Sequence, residues 1–499
     1  MALGGTPTNP AQLGWFGPCP VDGGASSLAL GSPDEPVAAK RPLGPGGPAL
    51  FVPECRWRLG GDPLPGLATV FGIPALSQLV LVIVASVGLS SSPALKIRMR
   101  PLLETLFARR AQAVIPPPVG AEIAGAVPVV TSFTFGLADP RLFPKADLAR
   151  ATAEVLAEDG DAALNYGGTF AGLIEVVQQL MRARGVEAQP ENLLIGYGSG
   201  QILGLLPQVF VEPGDVVIVE GPTFMGAVSR FAAAGARLIS IPVDGEGMVV
   251  DRLEEVLREL ARQGIPPRFI YTIPTFHNPR GCTLSWPRRQ KLLQLAAEYG
   301  VVVVEDEAYY DLRFVGDPLP SLAALDKEGW VLHVGTFSKI VAPGVRVGWA
   351  CGHPEIIRRL EMFRSEGSLG PFLGRVVARY CGEGRLESHI QLLIRRYREK
   401  CHLMLEAIAQ CFPPEVKVEA PGGGFFIWCE LPPPLSANTL LSATRALGVT
   451  FLPGTHCFAD GQGDHALRLA FSYQPEERIL SGIQILGEQL YKLMGQRSI

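Results

Sequence analysis

The feature that most constrains this chain is a regular alternation of short apolar segments with amphipathic helical patterns after about residue 100. The strand-like segments are residues 193–198, 215–220, 237–243, 268–274, 301–306 and 331–338. Helical patterns lie between several of them, for example at 250–260, and at 285–300, where Ser285 can cap a helix that Gly300 ends. This alternation predicts crossover units and an α/β fold with a mainly parallel sheet buried on both faces.

The domain organisation follows from changes in this pattern along the 499 residues. After about residue 360 a long helical stretch is followed by strands and a terminal helix, which predicts a second, smaller α+β domain. We therefore expect four segments. They are an extension outside the catalytic fold (1–98), an N-terminal arm with part of the small domain (99–150), a large domain (151–360) and a C-terminal small domain (361–499).

The first 98 residues differ in composition from the rest. Nineteen of the first fifty residues are Gly or Pro, which is typical of a low-complexity segment. The uncharged run at 64–92 would just reach the roughly 20 residues that cross a bilayer, but Gly66, Gly72 and Pro74 interrupt it. We expect a packed or disordered extension. The alternatives are a membrane anchor at 64–92 and a working protein that begins at Met99.

Charge and cysteine content exclude some classes of function. The net charge of -4 comes from nearly balanced acids and bases, so nothing points to nucleic acid. The nine cysteines are scattered, without C-x-x-C pairs or Cys/His clusters at metal spacing. We expect reduced thiols, no metal site and a cytoplasmic protein, with a mitochondrial or membrane-associated location left open.

Three polar motifs each follow a predicted strand. They are PTFHNPRG (274–281), EDEAYYDL (305–312) and GTFSKIVAPGVRVGW (335–349). Because ligands of open α/β sheets bind at the carboxyl ends of strands, these motifs are expected to converge on one site. The glycine-rich turn GYGSGQ (196–201) between a strand and a helix adds a candidate anion site.

Lys339 and Asp306 carry the chemistry that the motifs suggest. A partly desolvated lysine beside cations becomes an amine nucleophile toward aldehydes, and Ser338 and Arg346 flank Lys339 as candidate phosphate ligands. Asp306 ends an apolar strand, so its carboxylate needs a cationic partner, for which a protonated pyridine nitrogen would serve. The alternatives are a solvated lysine at a strand end and an Asp that caps a helix.

Together these residues resemble the fold-type I pyridoxal-phosphate (PLP) enzymes, specifically class I/II aminotransferases of the 2-aminoadipate, kynurenine and aromatic group. The resemblance covers about residues 100–499, and residues 336–349 follow the lysine motif TFSKxLAPGxRxGW, with Ile340 and Val341 directly after the lysine. It implies a large domain with a mostly parallel seven-stranded sheet between helices, a smaller α+β domain, PLP as cofactor and a homodimer.

The resemblance also assigns roles in binding the cofactor. Lys339 binds it covalently and later shuttles the proton, Asp306 pairs with the pyridine nitrogen, and Tyr309 and Asn278 hydrogen-bond the phenolic oxygen. Phe224 matches the aromatic residue that stacks on the ring. The matching phosphate ligands are Ser199, Gly200, Gln201, Ser338 and Arg346, with Tyr166 reaching the phosphate of the neighbouring subunit.

For the substrate, Arg468 matches the arginine that binds the α-carboxylate, Asn278 lies beside it, and Phe426 matches a residue near the substrate side chain. The chain departs from the family pattern at three places. Gly200 stands where relatives usually carry Gln, Phe224 replaces the commoner Tyr, and residues 132–144 match the family's substrate-contacting loop only loosely.

The implied function is transfer of an amino group from an L-amino acid (2-aminoadipate, aromatic or similar) to a 2-oxo acid such as 2-oxoglutarate. A PLP-dependent carbon–sulfur β-lyase is the alternative within the same chemistry. A non-catalytic PLP-fold binding or regulatory protein is a further alternative. Intact Lys339, Asp306 and Arg468 weigh against it, and residues 1–100 lack a charged helix-turn-helix pattern.

Overall fold

The structure is a computed structural model that describes residues 106–108, 130–364 and 368–495. The predicted extension 1–98, the candidate anchor at 64–92 and the candidate start at Met99 lie outside the described residues. Among the helices of the described part, none is both long and apolar enough to cross a membrane.

The described strands are β1 (Thr131–Ser132), β2 (Leu193–Gly196), β3 (Val216–Gly221), β4 (Arg237–Asp244), β5 (Gly247–Met248), β6 (Phe269–Thr272), β7 (Val302–Asp306), β8 (Val331–Thr336), β9 (Gly348–Cys351), β10 (Lys417–Glu419), β11 (Phe426–Glu430), β12 (Val449–Thr450), β13 (Leu452–Pro453) and β14 (Ala466–Ala470). The α-helices are α1 (Lys145–Leu164), α2 (Ala171–Ala183), α3 (Ser199–Phe210), α4 (Met225–Ala233), α5 (Val250–Arg262), α6 (Trp286–Tyr299), α7 (Leu322–Leu325), α8 (Pro354–Phe363), α9 (Pro371–Cys381), α10 (Arg385–Cys411), α11 (Ala437–Arg445) and α12 (Glu476–Leu493). Short 3₁₀ helices span Pro140–Leu142, Pro190–Asn192, Pro343–Val345 and Gly454–His456.

The central sheet has the strand order β2-β9-β8-β7-β6-β3-β4-β5. Strands β3, β4, β6, β7 and β8 pair in parallel, whereas β9 is antiparallel to both its neighbours. The predicted α/β fold with a mostly parallel sheet is confirmed. The sheet has one strand more than the predicted seven, because the chain turns back at Gly247 (φ +90°) and forms the two-residue edge strand β5.

Helices cover both faces of this sheet, as its continuous apolar strands require. Ile202 of α3, Val228 of α4 and Leu360 of α8 pack against one face. Leu253 of α5 and Leu292 of α6 pack against the other. Strand β7 can therefore begin with a run of three valines and still end on two acidic residues, Glu305 and Asp306, at the edge of the sheet.

The small domain contains the antiparallel sheet β10-β11-β14-β13, which packs with α10, α11 and α12. Strand β1 pairs with β12, so the chain just after residue 130 belongs to this domain. Helix α9, in contrast, packs against α1 and α2 of the large domain through Val377 and Tyr380. The described packing thus differs from the predicted boundary at residue 361, since the large domain continues through α9.

Candidate active site

The residues that the motifs singled out gather at one edge of the central sheet, because parallel strands end there together. Antiparallel β9 begins at the same edge, so the residues just before it also lie there. Ser199 follows β2, Phe224 follows β3 and Asn278 follows β6. Asp306 ends β7, Lys339 follows β8 and Arg346 lies two residues before β9.

Lys339 points into an aromatic, partly enclosed space. Its Nζ donates to the carbonyl oxygen of Gly136 at 2.9 Å. The ring centroids of Tyr309 and Phe425 lie 5.8 and 5.5 Å from Nζ. Among the residues that the structure describes, this amine thus contacts a backbone carbonyl and two rings but no carboxylate.

The electrostatic surroundings favour the neutral amine. Burial, followed by the nearby Arg468 guanidinium, lowers the pKa of Lys339 to about 8, while Asp306 acts in the opposite direction. A neutral amine is the nucleophile toward an aldehyde carbon, so this lysine is suited to covalent binding of an aldehyde cofactor.

Asp306 is 5% exposed and has two unlike carboxylate oxygens. The Tyr271 hydroxyl donates to Oδ2 at 2.8 Å, whereas Oδ1 is buried and has no hydrogen-bond partner among the described residues. Burial raises the pKa of Asp306 to about 6, against the lowering effect of the Tyr271 hydrogen bond and Lys339. A buried acceptor without a donor fits the protonated ring nitrogen of PLP, so the residues present suit this cofactor.

A cradle for an anion lies where β2 passes into α3. Gly198 adopts a positive φ of 77°, and α3 begins at the next residue, Ser199. A side chain on Gly348 would overlap the backbone nitrogen of Ser199, so a glycine in β9 lets the two backbones approach. Arg346, in a left-handed conformation (φ 46°), donates from Nη2 to Tyr197 O at 3.3 Å. Backbone N–H groups at a helix start and a guanidinium together suit a phosphate.

The three remaining predicted phosphate ligands are Ser338, Gly200 and Gln201. Ser338 is buried beside the Thr336 hydroxyl, which lies 3.0 Å from Ser338 Oγ. Gly200 offers only its backbone. The Gln201 side chain instead accepts from Tyr197 N at 2.8 Å, and it therefore orders the turn.

Arg468 provides a buried cation on the small-domain side. The guanidinium is held by Asn278 Oδ1, which accepts from Nη1 at 2.7 Å, and by the carbonyl oxygen of Thr134. It lies 4.2 Å from the ring centroid of Phe426. Within the described residues Arg468 forms no ion pair and its Nε has no hydrogen-bond partner, which leaves this cation available to an anionic ligand.

The segment 132–144, which matches the family only loosely, lies across this site. Gly136 contacts Lys339 through its carbonyl group, and a side chain at this position would overlap the Phe426 ring. The segment is fixed to α10 because Lys400 Nζ donates to the buried Asp139 Oδ2 at 2.6 Å. Its backbone therefore forms one wall of the site.

Two predicted residues are not brought to the centre of the site. Phe224 is 37% exposed, and its ring lies over Gly226 at the start of α4. Tyr166 is 102% exposed in the single chain, so its side chain does not contribute to the site of its own chain.

Sequence reasoning missed three contacts of the site. Tyr271 looked like an ordinary member of an apolar strand, and only strand pairing, which places it opposite Val304, brings it beside Asp306. Gly136 and Thr134 act through backbone carbonyl groups, for which a sequence carries no side-chain signal.

Comparison with known proteins agrees with this arrangement. The family described as "Aminotransferase class I and II" matches residues 134–482. Aromatic-amino-acid aminotransferase 1 of Thermococcus litoralis is 38% identical over 73% of this chain and 89% of its own length. The solved kynurenine aminotransferase of Pyrococcus horikoshii is 37% identical, with a TM-score of 0.75, covering 79% of this chain and 98% of that one.

A third relative is LysN, the α-aminoadipate aminotransferase of Thermus thermophilus, solved with N-(5'-phosphopyridoxyl)-L-leucine. It is 36% identical, with a TM-score of 0.73, covering 79% of this chain and 99% of that one. The chain thus belongs to the class I and II aminotransferases. It is a PLP-dependent transaminase acting on amino and 2-oxo acids, and the β-lyase alternative is not favoured.

Proposed function

We propose that this enzyme transfers amino groups from bulky L-amino acids, aromatic ones and 2-aminoadipate among them, to a 2-oxo acid such as 2-oxoglutarate. The observation that carries the proposal is that three groups converge at one edge of the sheet. They are the desolvated Lys339 amine and, within the described residues, an Asp306 Oδ1 that accepts no hydrogen bond and an Arg468 guanidinium that forms no ion pair. These are an amine for the cofactor, an acceptor for its ring nitrogen and a cation for a substrate carboxylate.

The residues that would hold the cofactor carry charges opposite to those of the cofactor groups they face. When bound, PLP withdraws electrons from the substrate's α-carbon. Lys339 would bind it covalently, Oδ1 of Asp306 would accept from its ring nitrogen, and Tyr309 and Asn278 would hydrogen-bond its phenolic oxygen. The phosphate would be bound by the amides of Ser199 and Gly200, the Ser338 hydroxyl and the Arg346 guanidinium, while Gln201 orders the turn.

Lys339 also moves the proton. With substrate in the site, the neutral Lys339 amine would take the proton from the substrate's α-carbon and, as the ammonium, give a proton back. A pKa near 8 suits both directions, because the amine exchanges protons readily close to neutral pH.

The walls of the site indicate bulky side chains. Beside Lys339, the Tyr309 ring packs against Phe425 in a tilted arrangement and against Phe426 edge to face, with ring centroids 5.2 and 5.5 Å apart, respectively. The related enzymes named above act on aromatic amino acids, kynurenine and α-aminoadipate. An aromatic wall and a carboxylate-binding Arg468 suit substrates of this kind.

The working unit is proposed to be a homodimer in the cytoplasm. The fully exposed Tyr166 would complete the phosphate site of the neighbouring subunit, and Phe224 would stack on the cofactor ring. The seven cysteines of the described part are free thiols, in keeping with a reducing compartment.

A donor panel tests this function. Purified holoenzyme is given 2-oxoglutarate with L-2-aminoadipate, L-kynurenine, L-phenylalanine, L-alanine and L-cystathionine, and glutamate formation is measured. We expect the highest kcat/KM with the first three donors and none with a Lys339→Ala control. Faster release of pyruvate and ammonia from cystathionine than glutamate formation from any donor would contradict the proposal and indicate a β-lyase.

A further inference from the structure

The hydroxyl of Tyr271 lies directly against the carboxylate of Asp306. It donates to Oδ2 at 2.8 Å, and both side chains are buried. The Tyr271 ring is held edge-on by Phe231, with ring centroids 5.6 Å apart. Pairing of β6 with β7 sets Tyr271 opposite Val304, two residues before Asp306 and on the same face. The ring cannot turn the hydroxyl away without disturbing this packing.

The two oxygens of Asp306 are therefore presented differently. We propose that Tyr271 is a positioning residue that occupies Oδ2, so that Oδ1 alone faces the cofactor's ring nitrogen and the carboxylate remains ionised beside it. This inference rests on the proposed role of Asp306. It adds a residue from a neighbouring strand that no motif identified.

Asp306 needs such a donor because its surroundings oppose its charge. Burial raises its pKa, and the Tyr271 hydrogen bond is the largest effect in the opposite direction, ahead of Lys339. Glu220, on β3, acts with burial against the charged carboxylate. A hydrogen bond donated to the charged form of an acid favours that form. Tyr271 thus stabilises the carboxylate and ring-nitrogen cation together, against transfer of the proton to Asp306.

Tyr271 itself stays a donor. Burial, and then the Asp306 charge, raise the pKa of Tyr271 well above its usual value. Glu220 and Tyr309 act in the same direction on this pKa. Burial lowers the pKa of Arg230 on α4, and Tyr271 opposes that effect. The phenol is therefore protonated throughout the working pH range.

The test uses holoenzyme reconstituted with PLP carrying ¹⁵N in the ring, so that NMR reports the protonation of that nitrogen. In Tyr271→Phe, which removes only the hydroxyl, the resonance is expected to move toward that of unprotonated pyridine. The kcat is expected to fall by on the order of tenfold, since a hydrogen bond to a charged group is lost, while KM changes little. Tyr380→Phe, which removes a buried hydroxyl in α9, is the control and should leave the resonance in place.

Two further variants separate the outcomes. Asp306→Asn should also move the resonance toward the unprotonated value. If Asp306→Asn moves the resonance and Tyr271→Phe does not, the inference on Tyr271 is overturned while the role of Asp306 stands. If neither variant moves the resonance, the proposed role of Asp306 fails. p-Aminophenylalanine at position 271, a weaker donor of similar size, should give an intermediate resonance even if Tyr271→Phe does not fold. A wild-type resonance in that variant would also overturn the inference.

Discussion

Among the single residues of the site, Lys339 is the one whose protonation is set by burial in the way that cofactor binding requires. Its amine faces a carbonyl oxygen and two aromatic rings, and the nearby Arg468 guanidinium also disfavours its charge. Desolvation and a like charge both stabilise the neutral amine. The site thereby makes a nucleophile at a pH where a solvent-exposed lysine is almost fully protonated.

The first prediction concerns the pH dependence of cofactor capture. Because the folded pKa of Lys339 is lowered to about 8, the neutral fraction of its amine rises with pH through that value instead of through the usual 10.5. The rate at which apoenzyme binds PLP covalently, followed by stopped-flow absorbance, should have its midpoint near pH 8. Arg468→Met should move the midpoint upward, since it removes a like charge. A wild-type midpoint close to 10.5 would show that Lys339 is not desolvated.

The sequence predicts the charged residues at the centre of the site better than the residues that position them. Lys339 and Asp306 stand out because each interrupts an apolar pattern at a strand end, and both lie at the predicted edge. Tyr271 does not stand out, because a tyrosine fits an apolar strand and its partner depends on which strand lies beside β6. Gln201 was expected to bind phosphate, but the local turn places its side chain on Tyr197 N.

At the scale of elements, the close contact between β9 and the start of α3 shapes the phosphate site. The strands around it were predicted from their apolar runs, but β9 was not, because it lies within the lysine motif and its antiparallel place between β2 and β8 depends on long-range pairing. Its first residue, Gly348, lies against the backbone of Ser199. This glycine thus sets how closely the helix start approaches the strand.

Gly348→Ala is predicted to weaken cofactor binding while leaving the fold intact. The added methyl group would overlap the Ser199 nitrogen and push the first turn of α3 away from Arg346. The dissociation constant of PLP, measured by fluorescence titration of apoenzyme, should rise roughly tenfold or more. Gly344→Ala, in the 3₁₀ helix just before β9 and with open space around it, is the matched control. Equal affinities of the two variants would argue against a phosphate site at this helix start.

At the scale of the whole molecule, the site is built from both domains. The large domain supplies Lys339 and Asp306, the small domain supplies Arg468, and the 132–144 segment joins them through Gly136 and Asp139. The one predicted site residue that stays fully exposed is Tyr166. The exposed Tyr166 side chain is the feature that a second subunit would cover.

Subunit mixing tests this assembly. Lys339→Ala and Tyr166→Ala subunits, carrying different tags, are coexpressed and the mixed dimers are compared with each homodimer. Since each mixed dimer has one site with both residues, the coexpressed population should show about a quarter of wild-type activity if pairing is random. Homodimers of either variant should be much less active. Activity no greater than the sum of the two homodimers would rule out sharing of Tyr166 between subunits.

The central claim is that Lys339 is the residue that binds PLP, and mass spectrometry tests it most directly. Holoenzyme is reduced with borohydride, digested and mapped, with Lys339→Ala treated in parallel. We expect a phosphopyridoxyl group on the wild-type peptide that contains Lys339 and no labelled lysine in the Lys339→Ala variant. A label on any other lysine of the wild-type protein, or an unlabelled Lys339 in a yellow, active enzyme, would contradict it.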